Sequence, residues 1–129
     1  MDRDLIELQK GCKATCCVIL DNDIDELENK YVIDATKSKY PDLYLGVHNP
    51  SAFMQYSALP KDQDFYFVIR HIDLVQEDIQ RYYYGVVKDR IINVTKSLPD
   101  DYIFILTVEK RDSLKQIIPE LYHLCVVCI

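Results

Sequence analysis

Three apolar runs, Thr15–Leu20, Phe65–Ile72 and Tyr102–Val108, constrain this chain more than any other feature. Each is short, with β-branched content throughout and aromatic residues in the second and third, and is followed at once by an acid: Asp21, Asp73 or Glu109. Runs of that length and composition read as strands buried on both faces, which is the habit of parallel sheets covered by helices. Phe65–Ile72 carries the strongest strand signal and is expected at the sheet centre. Between the runs lie segments long enough to hold a helix. Asp21–Glu26 leads into Leu27, Tyr31 and Ile33 at roughly helical spacing. Asp73–Leu98 is the longest periodic stretch, with Leu74, Val75, Ile79, Tyr82, Tyr83, Val86, Val87, Ile91, Val94 and Leu98 on one helical stripe, loosened at Gly85. Ser113–Leu124 predicts another helix, weakened by Pro119 in its middle.

The weaker signals complete the pattern. Asp2–Lys10 suits a short amphipathic helix stopped by Gly11, Leu43–Val47 a strand, Asn49–Tyr56 a short helix ended by Pro60, and His123–Ile129 a last edge strand. Strands alternating with helix-length connections predict an α/β fold, a single three-layer or two-layer domain over residues 1–129 with a largely parallel sheet of four to five strands.

Composition narrows the functional classes. With 15 Lys+Arg against 21 Asp+Glu the formal charge is −6, so a phosphate backbone would be repelled over most of the surface. No uncharged stretch approaches the roughly 20 apolar residues of a membrane span. The amino terminus, Met-Asp-Arg-Asp-Leu-Ile-Glu, carries acids where a signal peptide needs a cationic start, so a reducing, cytoplasmic location is expected. Five cysteines, an odd number, then argue against a disulfide framework.

Two clusters could carry chemistry. Asp21 and Asp23 stand beyond the carboxyl end of the first strand, where ligands of α/β sheets bind, and acids gathered there can hold Mg²⁺ or Mn²⁺. Asp89 and Glu109 are candidate partners for them. A capping turn explains the same acids without a metal, because Asp and Asn favour helix starts. The cysteines form the second cluster: Cys12, Cys16 and Cys17 at one end, His123, Cys125 and Cys128 at the other, a set able to supply zinc ligands. Adjacent residues of a strand point to opposite faces, so Cys16 and Cys17 serve one ion badly. Core packing is the simpler reading, with Cys128, near a fraying end, the most reactive thiol.

The stretch Val18-Ile19-Leu20-Asp21-Asn22-Asp23, with Asp89-Arg90-Ile91-Ile92 and Ile105-Leu106-Thr107-Val108-Glu109, loosely resembles PIN-domain nucleases. That resemblance implies a divalent-metal nuclease using Asp21, Asp23, Asp89 and Glu109. The chain departs from the family at Glu109, where Asp is usual, and at Asp23, where Asn is usual. Asp21-x-Asp23 with Thr107 is also similar to the nucleophile and second motifs of haloacid-dehalogenase phosphatases, though the usual Gly-Thr is missing.

Glycine-rich phosphate loops, Gly-x-Ser-x-Gly and His-Glu-x-x-His are all absent from the sequence. The leading expectation is therefore a small acidic intracellular protein that needs no cofactor and binds another macromolecule. A viral or phage host-modulator or a toxin-immunity inhibitor is of this type, and a homodimer fits it as well. Tyr82-Tyr83-Tyr84 is the candidate contact, since three consecutive rings spread around a helix and Tyr84 is expected to face away from the sheet. The metal-dependent nuclease or phosphoesterase is the alternative.

Overall fold

The computed structural model describes residues 16–28, 30–37, 65–89, 91–93, 96–97 and 102–129. The expected elements at Asp2–Lys10, Leu43–Val47 and Asn49–Tyr56, together with Cys12, lie outside them.

Among the described residues five strands form one all-parallel sheet: β1 (Cys16–Leu20), β2 (Lys30–Asp34), β3 (Phe65–Arg70), β6 (Tyr102–Val108) and β7 (Cys125–Val127), in the spatial order β2-β3-β6-β1-β7. A short antiparallel hairpin of β4 (Ile91–Asn93) and β5 (Lys96–Ser97) stands apart. The fold is thus the expected α/β type. Helix α1 (Glu77–Asp89) and the one-turn α2 (Pro119–Tyr122) cover one face of the sheet, where Tyr83, Val86, Val87 and Leu121 pack on Val18, Phe67, Phe104 and Leu106. On the other face Ile24 and Leu27 pack on Ile19, Val68 and Ile105. Apolar side chains on both faces explain why the strand runs show no polar alternation.

Several boundaries differ from expectation. The centre of the sheet is β6, not β3, because the chain returns to the middle only after α1 and the hairpin. The acidic segment makes a short 3₁₀ helix, Asp21–Glu26, and Tyr31 and Ile33 belong to β2. Their apparent helical spacing arose from Leu27, which packs under the sheet, followed by an aromatic and a β-branched residue that pair with β3 in parallel register. The long helix is likewise shorter: Ile72–Leu74 is a 3₁₀ turn and α1 stops at Asp89. Beyond it Ile91, Ile92, Val94 and Thr95 are β-branched or favour strands, and Ile91–Asn93 enters the hairpin. In the last connection Arg111–Gln116 is a 3₁₀ helix and Pro119 begins α2 at its first turn, where its missing N–H is not needed.

Helix α1 runs through Gly85 without a break, and a Cβ built there would meet nothing within 4 Å. Gly85→Ala is therefore expected to raise stability by about 0.5–1 kcal/mol through lower backbone entropy in the unfolded chain. Thermal unfolding of the variant checks this.

The cysteines correct a further expectation. Cys16 and Cys125 are register partners on the same face of neighbouring strands, their Cα atoms 4.7 Å apart, and they are joined as a disulfide. Cys17 points to the opposite face and is buried, and so is Cys128. The Cys128 N–H donates to the Val18 carbonyl at 2.8 Å, so the position expected to fray is tied to β1. No helix among the described residues is long and apolar enough to cross a membrane.

Candidate functional site

The connections leaving β1 and β6 part at the carboxyl edge of the sheet. The turn after β1 packs on one face through Ile24 and Leu27, whereas the segment after β6 packs on the other through Ile117, Ile118 and Leu121. Adjacent parallel strands whose connections diverge in this way open a crevice between them, the usual ligand position in such sheets.

A polar cluster occupies this edge. Arg70 ends β3, Thr107 is the penultimate residue of β6, and Asp21 follows β1. The pleat sends all three side chains to the same face, so that Arg70 and Asp21, two strands apart, meet over Thr107. Arg70 Nε donates to Asp21 Oδ1 at 2.9 Å and Nη2 to Oδ2 at 3.0 Å, a bidentate fork. Thr107 Oγ1 donates to Oδ1 at 2.9 Å. The same hydroxyl accepts the His71 backbone N–H at 2.9 Å.

His71 is the strained member. Its φ of 64° and ψ of 39° place it in the left-handed region, the one positive φ at a non-glycine among the described residues. Such a conformation costs about 1 kcal/mol and persists where surrounding contacts over-determine it. Here the N–H to Thr107 holds it. The ring Nε2 lies 3.9 Å from Asp21 Oδ2, and Nδ1 is buried with no hydrogen-bond partner among the described residues. Nearby, Asp73 is buried: its Oδ2 accepts the Glu109 backbone N–H at 3.2 Å and its Oδ1 has no partner among the described residues. Asp34, at the end of β2, accepts both the backbone N–H and the hydroxyl of Thr36.

The electrostatics follow from this wiring. Burial pushes the Asp21 carboxyl up, but the hydrogen bonds from Arg70 and Thr107, aided by the charges of His71 and Arg70, outweigh it and hold Asp21 below the usual carboxylate range. Arg70 is raised, first by its hydrogen bond to Asp21, against burial, and then by the charges of Asp21, Asp34 and Asp25. A carboxylate depressed in the folded state adds stability that is fully present above its unfolded pKa, about 3.9, and is lost as the pH falls through the folded value. Asp21→Asn should remove that acid-side loss. At pH 7 it should cost about 1–2 kcal/mol, toward the low end because the Arg70 side chain is 39% exposed. Urea midpoints at pH 7 and pH 3 test both halves: the gap between wild type and variant should close in acid.

The structure separates the four acids singled out in the sequence. Asp21 is at the centre, but its oxygens are taken by Arg70 and Thr107. Asp23 is half-buried in the 3₁₀ turn, Asp89 is exposed at the end of α1, and Glu109 is exposed and lends the cluster its backbone rather than its carboxylate. Among the described residues no three His, Cys, Asp or Glu side chains gather to hold a metal, and the zinc reading of the cysteines and His123 finds no such group either. Of the capping reading one half stands: Asp21 and Asp23 lie in the first turn of the 3₁₀ helix, where acids are favoured, but the cap residue is Leu20, no side chain bonds there, and Asp21 faces Arg70. Thr107 meets Asp21 only through its hydroxyl, which donates to Oδ1.

The tyrosine triplet divides. Tyr83 is wholly buried and belongs to the core, so it is withdrawn from any contact surface. Tyr82 stacks edge-on against it at 5.6 Å. Tyr84 is half-buried, packed in part against the edge of the core, with Lys88 Nζ 5.7 Å from its ring centre. Arg70 and His71 are not among the site residues the sequence singles out, His71 reading as a strand residue beside Arg70 that faces solvent or a buried partner. The clue was present: a cation and an imidazole terminating an otherwise apolar strand, opposite an acid terminating another. No protein-family model matches the chain, and no curated protein matches it.

Proposed function

We propose that the chain acts by binding another macromolecule, a protein with a cationic surface, and not by metal-dependent hydrolysis of phosphoesters. One observation carries this reading: the Asp21 carboxylate is closed by donors from within the chain. Mg²⁺ and Mn²⁺ need carboxylate oxygens that face water or substrate. Here the Arg70 fork and Thr107 take both oxygens, and a guanidinium stands where a cation would have to approach. The acids that follow, Asp25 and Glu28, are exposed, and the chain carries a charge of −6, which favours fast, salt-sensitive encounter with a basic surface. A viral or phage host-modulator and a toxin-immunity inhibitor are proteins of this kind. Tyr84, with Lys88 over its ring, is the proposed aromatic contact, for such a partner or for a second copy. A cytoplasmic location, where the Cys16–Cys125 bridge would meet reducing thiols, belongs to the same proposal.

Capture from host lysate by immobilised wild type and by an Asp25→Asn, Glu28→Gln variant tests the reading. A specific protein should be retained by the wild type at low salt and be lost both at high salt and by the variant. Mn²⁺-dependent cleavage of a nucleic acid or phosphomonoester by the wild type, abolished by Asp21→Asn, would overturn it.

A further inference from the structure

Four of the five cysteines meet at one seam, between β1 and β7. Cys16 and Cys17 are consecutive in β1, so they face opposite sides of the sheet. On the side of α1, Cys16 is bridged to Cys125, the first residue of β7. On the other side Cys17 is hydrogen-bonded to Cys128, one residue beyond the end of β7, and the two are only 1% and 3% exposed. Burial, reinforced by the neighbouring Cys128 thiol, pushes the Cys17 thiol up to about 12, so almost none of it is thiolate at neutral pH.

The strand that covers this buried pair has little else to hold it. β7 has three residues, all half-buried, and among the described residues it pairs with β1 alone at the edge of the sheet. Edge strands this short are marginal, and the covalent bond at its first residue spans a sequence separation of 109. We propose that β7 is a redox latch: reduction of the Cys16–Cys125 bridge by a dithiol reductant releases residues 125–129 from β1 and turns Cys17 and Cys128 from protected into reactive thiols.

The exchange balances. A thiolate of the dithiol attacks the sulfur of Cys125, the half-buried partner, and forms a mixed disulfide while Cys16 leaves as thiolate and takes a proton. The second thiol of the reductant then displaces Cys125. The bridge gains two electrons and two protons, and the reductant becomes a disulfide. Release also bares the hydrogen-bonding edge of β1, a template for an incoming strand.

The test uses the full chain with Cys12→Ser, so that labels report the seam alone. The native, unreduced protein should take up maleimide only slowly at Cys17 and Cys128. After brief treatment with dithiothreitol all four thiols should label, Cys17 and Cys128 about 100-fold faster than before. A Cys16→Ser, Cys125→Ser variant should label at both without reductant. Hydrogen exchange on the reduced protein should show lost protection confined to residues 125–129 and β1, which separates release of the latch from global unfolding. Unchanged protection of Cys17 and Cys128 after reduction, loss of protection across β3 and β6 as well, or free labelling of Cys16 and Cys125 before reduction would each overturn the proposal.

Discussion

Gln80→Ala is expected to destabilise the protein by about 3–5 kcal/mol, more than the loss of any exposed ion pair, because three hydrogen-bonding groups are stranded by one truncation. Gln80 is 2% exposed on α1. Its Nε2 donates to the carbonyls of Val75 at 3.1 Å and Gln116 at 2.8 Å, and its Oε1 accepts the Ile118 N–H at 2.8 Å. One amide thus stitches the start of α1 to the link between Arg111–Gln116 and α2. Gln80→Glu sharpens the test. The carboxylate keeps the acceptor for Ile118 but faces two carbonyls, so at neutral pH the variant should be at least as unstable as the alanine. Its folded-state pKa must lie above the unfolded value of about 4.3, so stability should return as the pH falls and the protonated acid regains a donor. Urea unfolding at pH 7 and pH 4.5 measures this. A Glu variant equally stable at both would refute the assignment.

Phe67→Ala should cost a similar amount, about 3–5 kcal/mol, with the melting temperature lower by on the order of 10–20 °C. Parallel register sets Tyr31, Phe67 and Phe104 side by side on β2, β3 and β6. Their ring centres are 5.4 Å and 5.5 Å apart, so Phe67 is in contact with an aromatic ring on each side. Each such contact adds about 0.5–1.5 kcal/mol beyond area burial. Phe67→Leu keeps most of the volume and should cost about 1–1.5 kcal/mol. Calorimetric melting of the two variants separates the ring's contribution from that of its volume. Tyr84→Glu, at a half-buried position on the core's edge, should cost less than Phe67→Ala and leave the circular dichroism spectrum of a folded chain.

Strands β1, β3 and β6 were legible because each is a dense apolar run, and dense apolar runs bounded by acids have few alternatives in a chain of this size. The core stripe of α1 was legible for the same reason: Tyr83, Val86 and Val87 recur at helical spacing, and the structure buries all three. Elsewhere two local signals coincide. Tyr31 and Ile33 satisfy helical spacing and strand propensity together, and only pairing with β3 decides between them. The periodicity past Asp89 has the same ambiguity, resolved by β-branched residues entering a hairpin.

What the amino-acid sequence determined by itself is therefore short-range: which segments are apolar enough to become buried strands, that helix-length connections join them in parallel, and that Asp21 and Thr107 end up at the carboxyl edge. Tertiary structure decided the partners. The order β2-β3-β6-β1-β7 brings Arg70 to Asp21 across 49 residues and Cys16 to Cys125 across 109, and it turns an acid that could have capped a turn or held a metal into one half of an internal ion pair. The physical reason is range. Propensity and periodicity act within a few residues, whereas the choice of neighbour in a sheet is settled by burying both faces at once, and a carboxylate buried at that edge takes whatever donor the chosen neighbour supplies.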